Sequence, residues 1–571
     1  MQIDIVIRNG TVFDGTSTEP RNVDVAISGG VIVKVGEVPE SGIVEFDAKD
    51  KIVTPGFVDL HTHYDGQAIW SARLSPSSAN GVTTAVMGSC GVGFAPCRLE
   101  DRDLLLAVTE GVEDIPDAVM AEGLSWDWET YPQYLDALER RAHDIDIASM
   151  LPHMPLRVYA MGQRGADREA ATQDDLRRMA DLTREAIRAG AMGVSTSQLF
   201  THRTRDGDPV PTFGVAEQEL HVIAEAMKEA GGGVWQASAI ADMNSVHASD
   251  DLEMFHRVVA SGAASGSFSL GQSQWRDMLQ QVARMNARGS EIRAQVYPRR
   301  FGLYVNFDLT IHPFCLCPSF RAIAHLPMTD KLTRLRDPGF RSRLLSEEPI
   351  DIGLPFHTIG RNFHLMYPCG ETPEYEPRAD QSVAAMARAR GIDPLALAYD
   401  LMLADDGRAM FFLQYTDYAD RSLDFMPELL RNADTVLGLA DAGAHYGMIC
   451  DGTYPTFLLS YWTRDRTRER LGVGEVVRML TSQPADAMRL RDRGRLAPGY
   501  KADLNIIDHD RLSMAVPEVV YDLPAGGKRI NQPVRGYAAT FVNGTLIRRD
   551  DQPTDQLPGR LVRGSRPMPV Q

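Results

Sequence analysis

Phe57-Val58-Asp59-Leu60-His61-Thr62-His63-Tyr64-Asp65, written FVDLHTHYD, is an apolar run that ends on two histidines one residue apart and then turns polar. In an extended chain, residues i and i+2 point to the same side, so both imidazoles can converge on one point in space. That spacing suits a metal ion. Strand ends also carry paired histidines without any metal, so the surroundings have to decide.

Working outward, the chain alternates strand candidates with helical segments such as QDDLRRMADLTREAIRAGA, whose apolar positions recur at three and four. Eight strand candidates stand out: Val53 to His61, Val82 to Cys90, Ile145 to His153, Ala191 to Ser197, Gly233 to Ala239, Ser267 to Gln272, Ile292 to Pro298 and Thr435 to His445. Strands alternating with helices pair in parallel, and eight is the number of a (β/α)8 TIM barrel, whose chemistry sits at the C-terminal strand ends. The interval of about 299 to 434 breaks this rhythm and reads as an insertion, a lid or substrate subdomain at the active face.

The first fifty or so residues (IDIVIRNGTVFDG, NVDVAISGGVIVKVG, GIVEFDAKDKIVTPG) are period-2 runs between Asn-Gly, Gly-Gly and Pro-Gly turns, and a like pattern returns in LAPGYKADLNIIDHD and GYAATFVNGTLIRR. The two ends are expected to form one small β-sandwich, giving bounds of 1–54, 55–490 for the barrel and 491–571.

With 571 residues, 44% hydrophobic and 24% charged, the chain has the composition of a globular enzyme with a large core. A net charge of −18 disfavours nucleic acid and anionic membrane as partners. A small-molecule substrate is expected, and a homo-oligomer is compatible. No run approaches a membrane span, and the N-terminus lacks the pattern of a signal peptide. Six irregularly placed cysteines do not read as a disulfide framework, which points to a reduced cytoplasm.

The first strand candidate ends in His61 and His63, the second in VMGSCGVGFAP with Cys90, and the eighth in VLGLADAGAH with Asp441 and His445. Imidazole, thiolate and carboxylate are all competent ligands for zinc. Together with NGTVFDG, VTPGFVDLHTHYDGQ, GVTTAVMGSCGVGFAP and LAPGYKADLNIID, this ordered set resembles the amidohydrolase superfamily, and within it the N-acyl-D-amino-acid deacylases, over essentially the whole chain. The resemblance implies hydrolysis of the amide of an N-acyl-D-amino acid by metal-activated water. It implies one Zn2+ held by His61, His63, Cys90 and Asp441, with Asp441 handling the proton.

The chain also departs from that family, whose members place a histidine at the end of the fifth strand and another at the end of the sixth. Here those places read GGVWQASAI and GSFSLGQSQW, with Gln236, Ser238 and Gln272 in the region. Gln ligates metals weakly and Ser hardly at all at neutral pH. Three readings follow: a single ion on His61, His63 and Asp441 with Cys90 or His202 completing the shell; the same barrel in a lyase or a hydrolase of another substrate; or a binding protein with a relic site.

Candidate substrate contacts are His202 in LFTHRTRDGDPVP, Gln236, Tyr297 and Arg299 in QVYPRR, and His445. Arg299 could fork onto a substrate carboxylate, and His445 could orient Asp441 or cap a helix. His153 could line the pocket or be a satisfied core histidine. Cys97, Cys315, Cys317, Cys369 and Cys450 read as ordinary thiols.

Overall fold

The computed structural model describes residues 2–238, 248–271, 274–352, 359–370, 374–414 and 421–569. Two parallel sheets form its centre. One contains the strands Phe57–Asp59, Val82–Met87 and Asp146–Ser149. The other runs Leu151–Pro152, Gly193–Ser197, Val234–Ser238, Ser265–Ser269, Ile292–Val296 and Thr435–Leu437. The 146–152 segment belongs to both sheets, broken at Met150.

Helices alternate with these strands, as the sequence pattern requires. Gln173–Ala189 starts on a capping box, Thr172 with Asp175, and stops at Gly190, whose φ of 118° few residues other than glycine adopt. Its buried stripe of Leu176, Met179, Ala180, Thr183, Ala186 and Ile187 follows the spacing of three and four.

A closed (β/α)8 ring requires the first and last parallel strands to pair as well. Among the described residues they are joined by the isolated parallel bridge Thr62–Ala442, with the His63 N–H donating to the Ala442 carbonyl at 2.9 Å. The last strand is short because Leu439 and Asp441 take left-handed φ values of 62° and 47°, which end an extended run. The expected Thr435 to His445 strand is therefore a short strand followed by a loop.

Other candidates also change: Val82 to Cys90 ends as a strand at Met87, with Cys90 in the turn beyond it. Val53 to His61 is two strands, Ile52–Pro55 and Phe57–Asp59, which lie in different sheets. The break falls at Gly56, where a Cβ would sit 2.2 Å from Thr83 Oγ1. Only glycine lets the chain pass so close. In the third candidate, His153 is the first residue of the helix His153–Met161 and not a strand end. Ala239 and Gln272, expected at the ends of the fifth and sixth strands, lie outside the described residues.

Strands from both chain ends share a seven-stranded sheet in which Ile52–Pro55 pairs antiparallel with Leu504–Ile507. A four-stranded sheet, Val31–Gly36, Asp24–Ser28, Ile5–Arg8 and Val44–Asp47, shares a buried cluster with it that includes Val12, Ile27, Val53, Leu504 and Phe541. Between the last two parallel strands, Gly302–Val305, Phe411–Gln414 and Met366–Pro368 form an antiparallel sheet over a separate core with Phe307, Phe314, Tyr399 and Met402. No helix among the described residues is long and apolar enough to cross a membrane.

Asp146 fastens the terminal strands to the parallel sheet. Its buried carboxylate accepts from Arg493 at 2.9 Å, from Asn543 at 3.0 Å, from the Arg560 N–H at 2.9 Å, and from Lys501. Burial acts to raise the Asp146 pKa, but Lys501 and Arg493 hold it below the ordinary carboxylate value. A carboxylate of this kind adds stability above its unfolded pKa of about 3.9 and loses it as pH falls through the folded value. Asp146→Asn should therefore lower stability by about 3–5 kcal/mol at neutral pH, and the gap to the parent should close in acid. Denaturant midpoints at pH 7 and in acid test this; equal midpoints at pH 7 would show that Asp146 does not fasten the two parts.

Candidate functional site

The two histidines follow the short strand Phe57–Asp59 and are buried. His61 Nδ1 meets Gln295 Oε1 at 2.5 Å, and Gln295 in turn donates from Nε2 to Ser267 Oγ at 2.8 Å. The second bond fixes the amide so that its oxygen faces the ring. His61 Nδ1 is then the donor, and Nε2 is left to face Cys90 and Asp441. That nitrogen lies 3.3 Å from Cys90 Sγ and 3.1 Å from Asp441 Oδ1. His63 is arranged in parallel: Nδ1 is 3.4 Å from Glu113 Oε1 and Nε2 is 3.5 Å from Asp441 Oδ1.

Cys90 sits in a tight turn at φ 57°, between Gly88 and Gly91 at φ 80° and 73°. Its N–H donates to Gln236 Oε1 at 3.1 Å, while the Gly91 N–H donates to Ser195 Oγ at 3.0 Å. Asp441 comes from the loop after Thr435–Leu437. That loop lies against the histidine segment because Gly443, at φ 93°, has no Cβ to strike Tyr64 Cδ1 at 2.8 Å or the His63 carbonyl carbon at 2.9 Å.

The ligand atoms of His61, His63 and Cys90 all lie within 4.8 Å of one another, and no other such group of histidine, cysteine or acid occurs among the described residues. Electrostatics accompany the geometry. Burial pushes the Cys90 thiol up, but the charges of His61 and His63 overcome it and bring the thiol down to about 6. Burial likewise opposes charge on His61, yet Cys90 and Asp441 raise it to about 10. Asp441 is held well below the carboxylate range, since His61 and His63 outweigh the effect of burial.

A metal ion fits this donor set. Two imidazoles and a thiolate match zinc chemistry, and Asp441, outside that 4.8 Å group, faces both imidazoles. Two of the facing atoms, His63 Nε2 and Asp441 Oδ1, are buried with no hydrogen-bond partner among the described residues.

The other candidates are placed as follows. His202 accepts or donates at Nδ1 with Ser197 Oγ, 2.9 Å away. Burial brings its pKa down to about 3, helped by the charges of His445 and His63. His445, at φ 51°, donates its N–H to the Glu113 carbonyl, and its Nε2 lies 3.6 Å from Glu113 Oε2. Its backbone thus satisfies the last carbonyl of the helix Arg102–Glu113. Gln236 reaches the cluster through the backbone of Cys90.

Arg299 differs from expectation. Its guanidinium is buried against Asp451 Oδ1 at 2.6 Å and lies near the rings of Tyr297, Tyr375 and Phe412, so it pairs with a carboxylate of the chain itself. Tyr297 is buried, and its hydroxyl donates to the Asp451 carbonyl at 3.3 Å. His153 is a satisfied core histidine, bonded to Thr196 Oγ1 at 2.9 Å and Glu219 Oε1 at 3.0 Å.

Sequence reasoning missed Glu113 and Gln295. Glu113 ends the helix Arg102–Glu113, and no spacing relates it to the histidines; burial raises its pKa to about 8. Gln295 carried a signal, a lone amide between the apolar Ala294 and Val296.

Residues 44–548 match the model of the family described as "Amidohydrolase family". An uncharacterized protein of Mycobacterium tuberculosis is 28% identical, the alignment covering 96% of this chain and 92% of that one. The D-aminoacylase of Alcaligenes xylosoxydans xylosoxydans is 24% identical over 98% of this chain and 97% of its own length. Among solved structures, the N-acyl-D-glutamate deacylase of Bordetella bronchiseptica, complexed with zinc and a phosphonate inhibitor, superposes with a TM-score of 0.64. It is 21% identical, and the match covers 99% of this chain and 100% of that one.

Groups that hold the far side of a metal-ligating histidine typically contribute 10- to 100-fold in affinity. Gln295→Met, which removes the acceptor from His61 Nδ1, should weaken Zn2+ binding by about that factor. Competition with a chromogenic chelator measures it; unchanged affinity would show that His61 is oriented without Gln295.

Proposed function

The chain belongs to the amidohydrolase family, and from that premise we propose that it is a metal-dependent hydrolase of a linear amide, an N-acyl-D-amino acid. One Zn2+ would be held by His61, His63, Cys90 and Asp441. The observation that carries the reading is the position of Asp441 Oδ1, 3.1 Å and 3.5 Å from the two imidazole nitrogens, the first of which also faces the Cys90 thiol at 3.3 Å. The D-aminoacylase likeness over nearly the full length of both chains supports the choice of substrate class.

A divalent ion at such a site lowers the pKa of a coordinated water towards about 7 and polarises a carbonyl oxygen. The chain's own part is proton handling. Asp441, kept ionised by the neighbouring positive charge, takes a proton from the attacking water as its oxygen bonds to the carbonyl carbon. It then returns that proton to the leaving nitrogen as the C–N bond breaks. The products are a carboxylate and the free amine. Gln295 keeps the His61 imidazole aimed through its hydrogen bond, Glu113 faces His63 at ion-pair distance, and His202 and His445 would contact the substrate.

The fold reading that accompanies this is a (β/α)8 barrel over 55–490, with the insertion at about 299–434 and a β-sandwich from 1–54 and 491–571. The parallel order of the central strands and the pairing of Thr54 with Asn505 support it. The six free cysteines agree with a cytoplasmic enzyme acting on a small molecule.

A second reading keeps the site but gives it another substrate, or a lyase reaction. The pairing of Arg299 with Asp451 favours it, since the charge expected to meet a substrate carboxylate is already paired within the chain. Amine release from N-acyl-D-amino acids, N-acyl-L-amino acids and cyclic amides, assayed with metal-replete protein, separates the two; release from none of them counts against amide hydrolysis.

Asp441→Asn keeps the shape of the side chain but can neither carry the proton nor supply the charge. It should lower kcat by about 10² to 10⁴ on the substrate found by that screen, with metal content and folding confirmed. Activity within a few-fold of the parent would remove Asp441 from the mechanism.

A further inference from the structure

The strand Val234–Ser238 carries Gln236 and Ser238 at its C-terminal end. Successive side chains of a strand alternate between faces. Trp235 and Ala237 pack into the large hydrophobic cluster, so Gln236 and Ser238 share the opposite face, which also meets Cys90.

Both are almost fully buried, Gln236 at 2% and Ser238 at 3% exposure. Gln236 Oε1 is already engaged, accepting from the Cys90 N–H at 3.1 Å. This bond settles the orientation of the amide. It also turns the oxygen, the one atom of Gln that could ligate a cation, towards the backbone. Among the described residues, buried Gln236 Nε2 and Ser238 Oγ find no hydrogen-bond partner. A buried amide N–H and a hydroxyl that bond to nothing are costly to maintain, and each can donate to an oxygen that enters the site.

We propose that Gln236 Nε2 and Ser238 Oγ form a donor pair that receives the substrate's carbonyl oxygen as it gains negative charge, beside the His61–His63–Cys90 cluster. The pair acts by hydrogen bonding where a further imidazole would act by ligation. Preorganised donors of this kind matter most in a buried site, where nearby charge is poorly screened. In the hydrolysis the donors gain and lose no proton; they stabilise the tetrahedral oxyanion and release it when the C–N bond breaks. The inference rests on the amide-hydrolysis reading for its substrate, but the anion-binding pair itself can be measured without turnover.

Two variants isolate the donors in the metal-loaded, full-length protein. Gln236→Glu keeps an oxygen for the Cys90 N–H and replaces the donor with an acceptor, and Ser238→Ala removes only the hydroxyl. Methylphosphonate, a small tetrahedral anion, is titrated by calorimetry into the parent and both variants. Metal per chain is determined in parallel, and kcat and KM are measured on the amide substrate.

Each variant should bind methylphosphonate at least about tenfold more weakly than the parent, retain the parent's metal content, and lose about 10² to 10³ in kcat with KM little moved. Equal methylphosphonate affinity in all three proteins, or no binding to the parent, would overturn the proposal. So would metal loss in Gln236→Glu, which would make Gln236 a ligand, or a rise in KM with kcat unchanged, which would make the pair a ground-state carboxylate site. If the parent releases amine from no amide, the functional reading fails while the titration still decides the donor pair.

Discussion

Charge balance in a buried space governs this molecule. Two imidazoles, a thiol and a carboxylate meet where water is scarce, and none of them could be ionised there alone. They are tolerable together because each steadies the next: Cys90 is brought down to about 6 and His61 is raised to about 10, and both shifts depend on the other charges. Glu113, 3.4 Å from His63, adds to the negative charge facing that imidazole, and a divalent cation would take over from the imidazole protons the task of balancing the thiolate and carboxylates.

The backbone meets this demand with a few sharp local solutions. Gly56 lets one run of chain leave the terminal sheet, pass Thr83 and enter the parallel sheet just before the histidines. Cys90 is held at positive φ between two glycines, and Asp441 also adopts positive φ. Left-handed conformations cost non-glycine residues energy and cluster where surrounding structure over-determines them. Here they turn side chains inward at the ends of strands, which an uninterrupted strand cannot do at successive residues.

The inner face of the parallel sheet is polar over much of its length. Ser195, Ser197, Gln236, Ser238, Ser267 and Gln295 are all buried. Some are linked in pairs that reach a functional side chain, as in Ser267 to Gln295 to His61. Others, Gln236 Nε2 and Ser238 Oγ, are left open. A face of this kind departs from the branched apolar filling usual for such strands, and it places donors within reach of whatever the cluster holds.

The sequence alone determined the type of each element and the identity of the principal side chains. Period-2 runs with Asn-Gly turns marked the terminal strands, the spacing of three and four marked Gln173–Ala189, and the i, i+2 pair His61 and His63 marked the site. These signals are local, because they follow from backbone geometry over a few residues. Tertiary structure decided the rest. The split of Val53 to His61 depends on Thr83, which is remote in sequence, and the end of the last strand at Leu437 on the docking of Gly443 against Tyr64. Pairing Arg299 with Asp451, Glu113 with His63 and Gln295 with His61 links residues 152, 50 and 234 positions apart. No periodicity spans such separations, since a carboxylate or amide becomes a partner only when the fold brings it to a buried polar atom that must be satisfied.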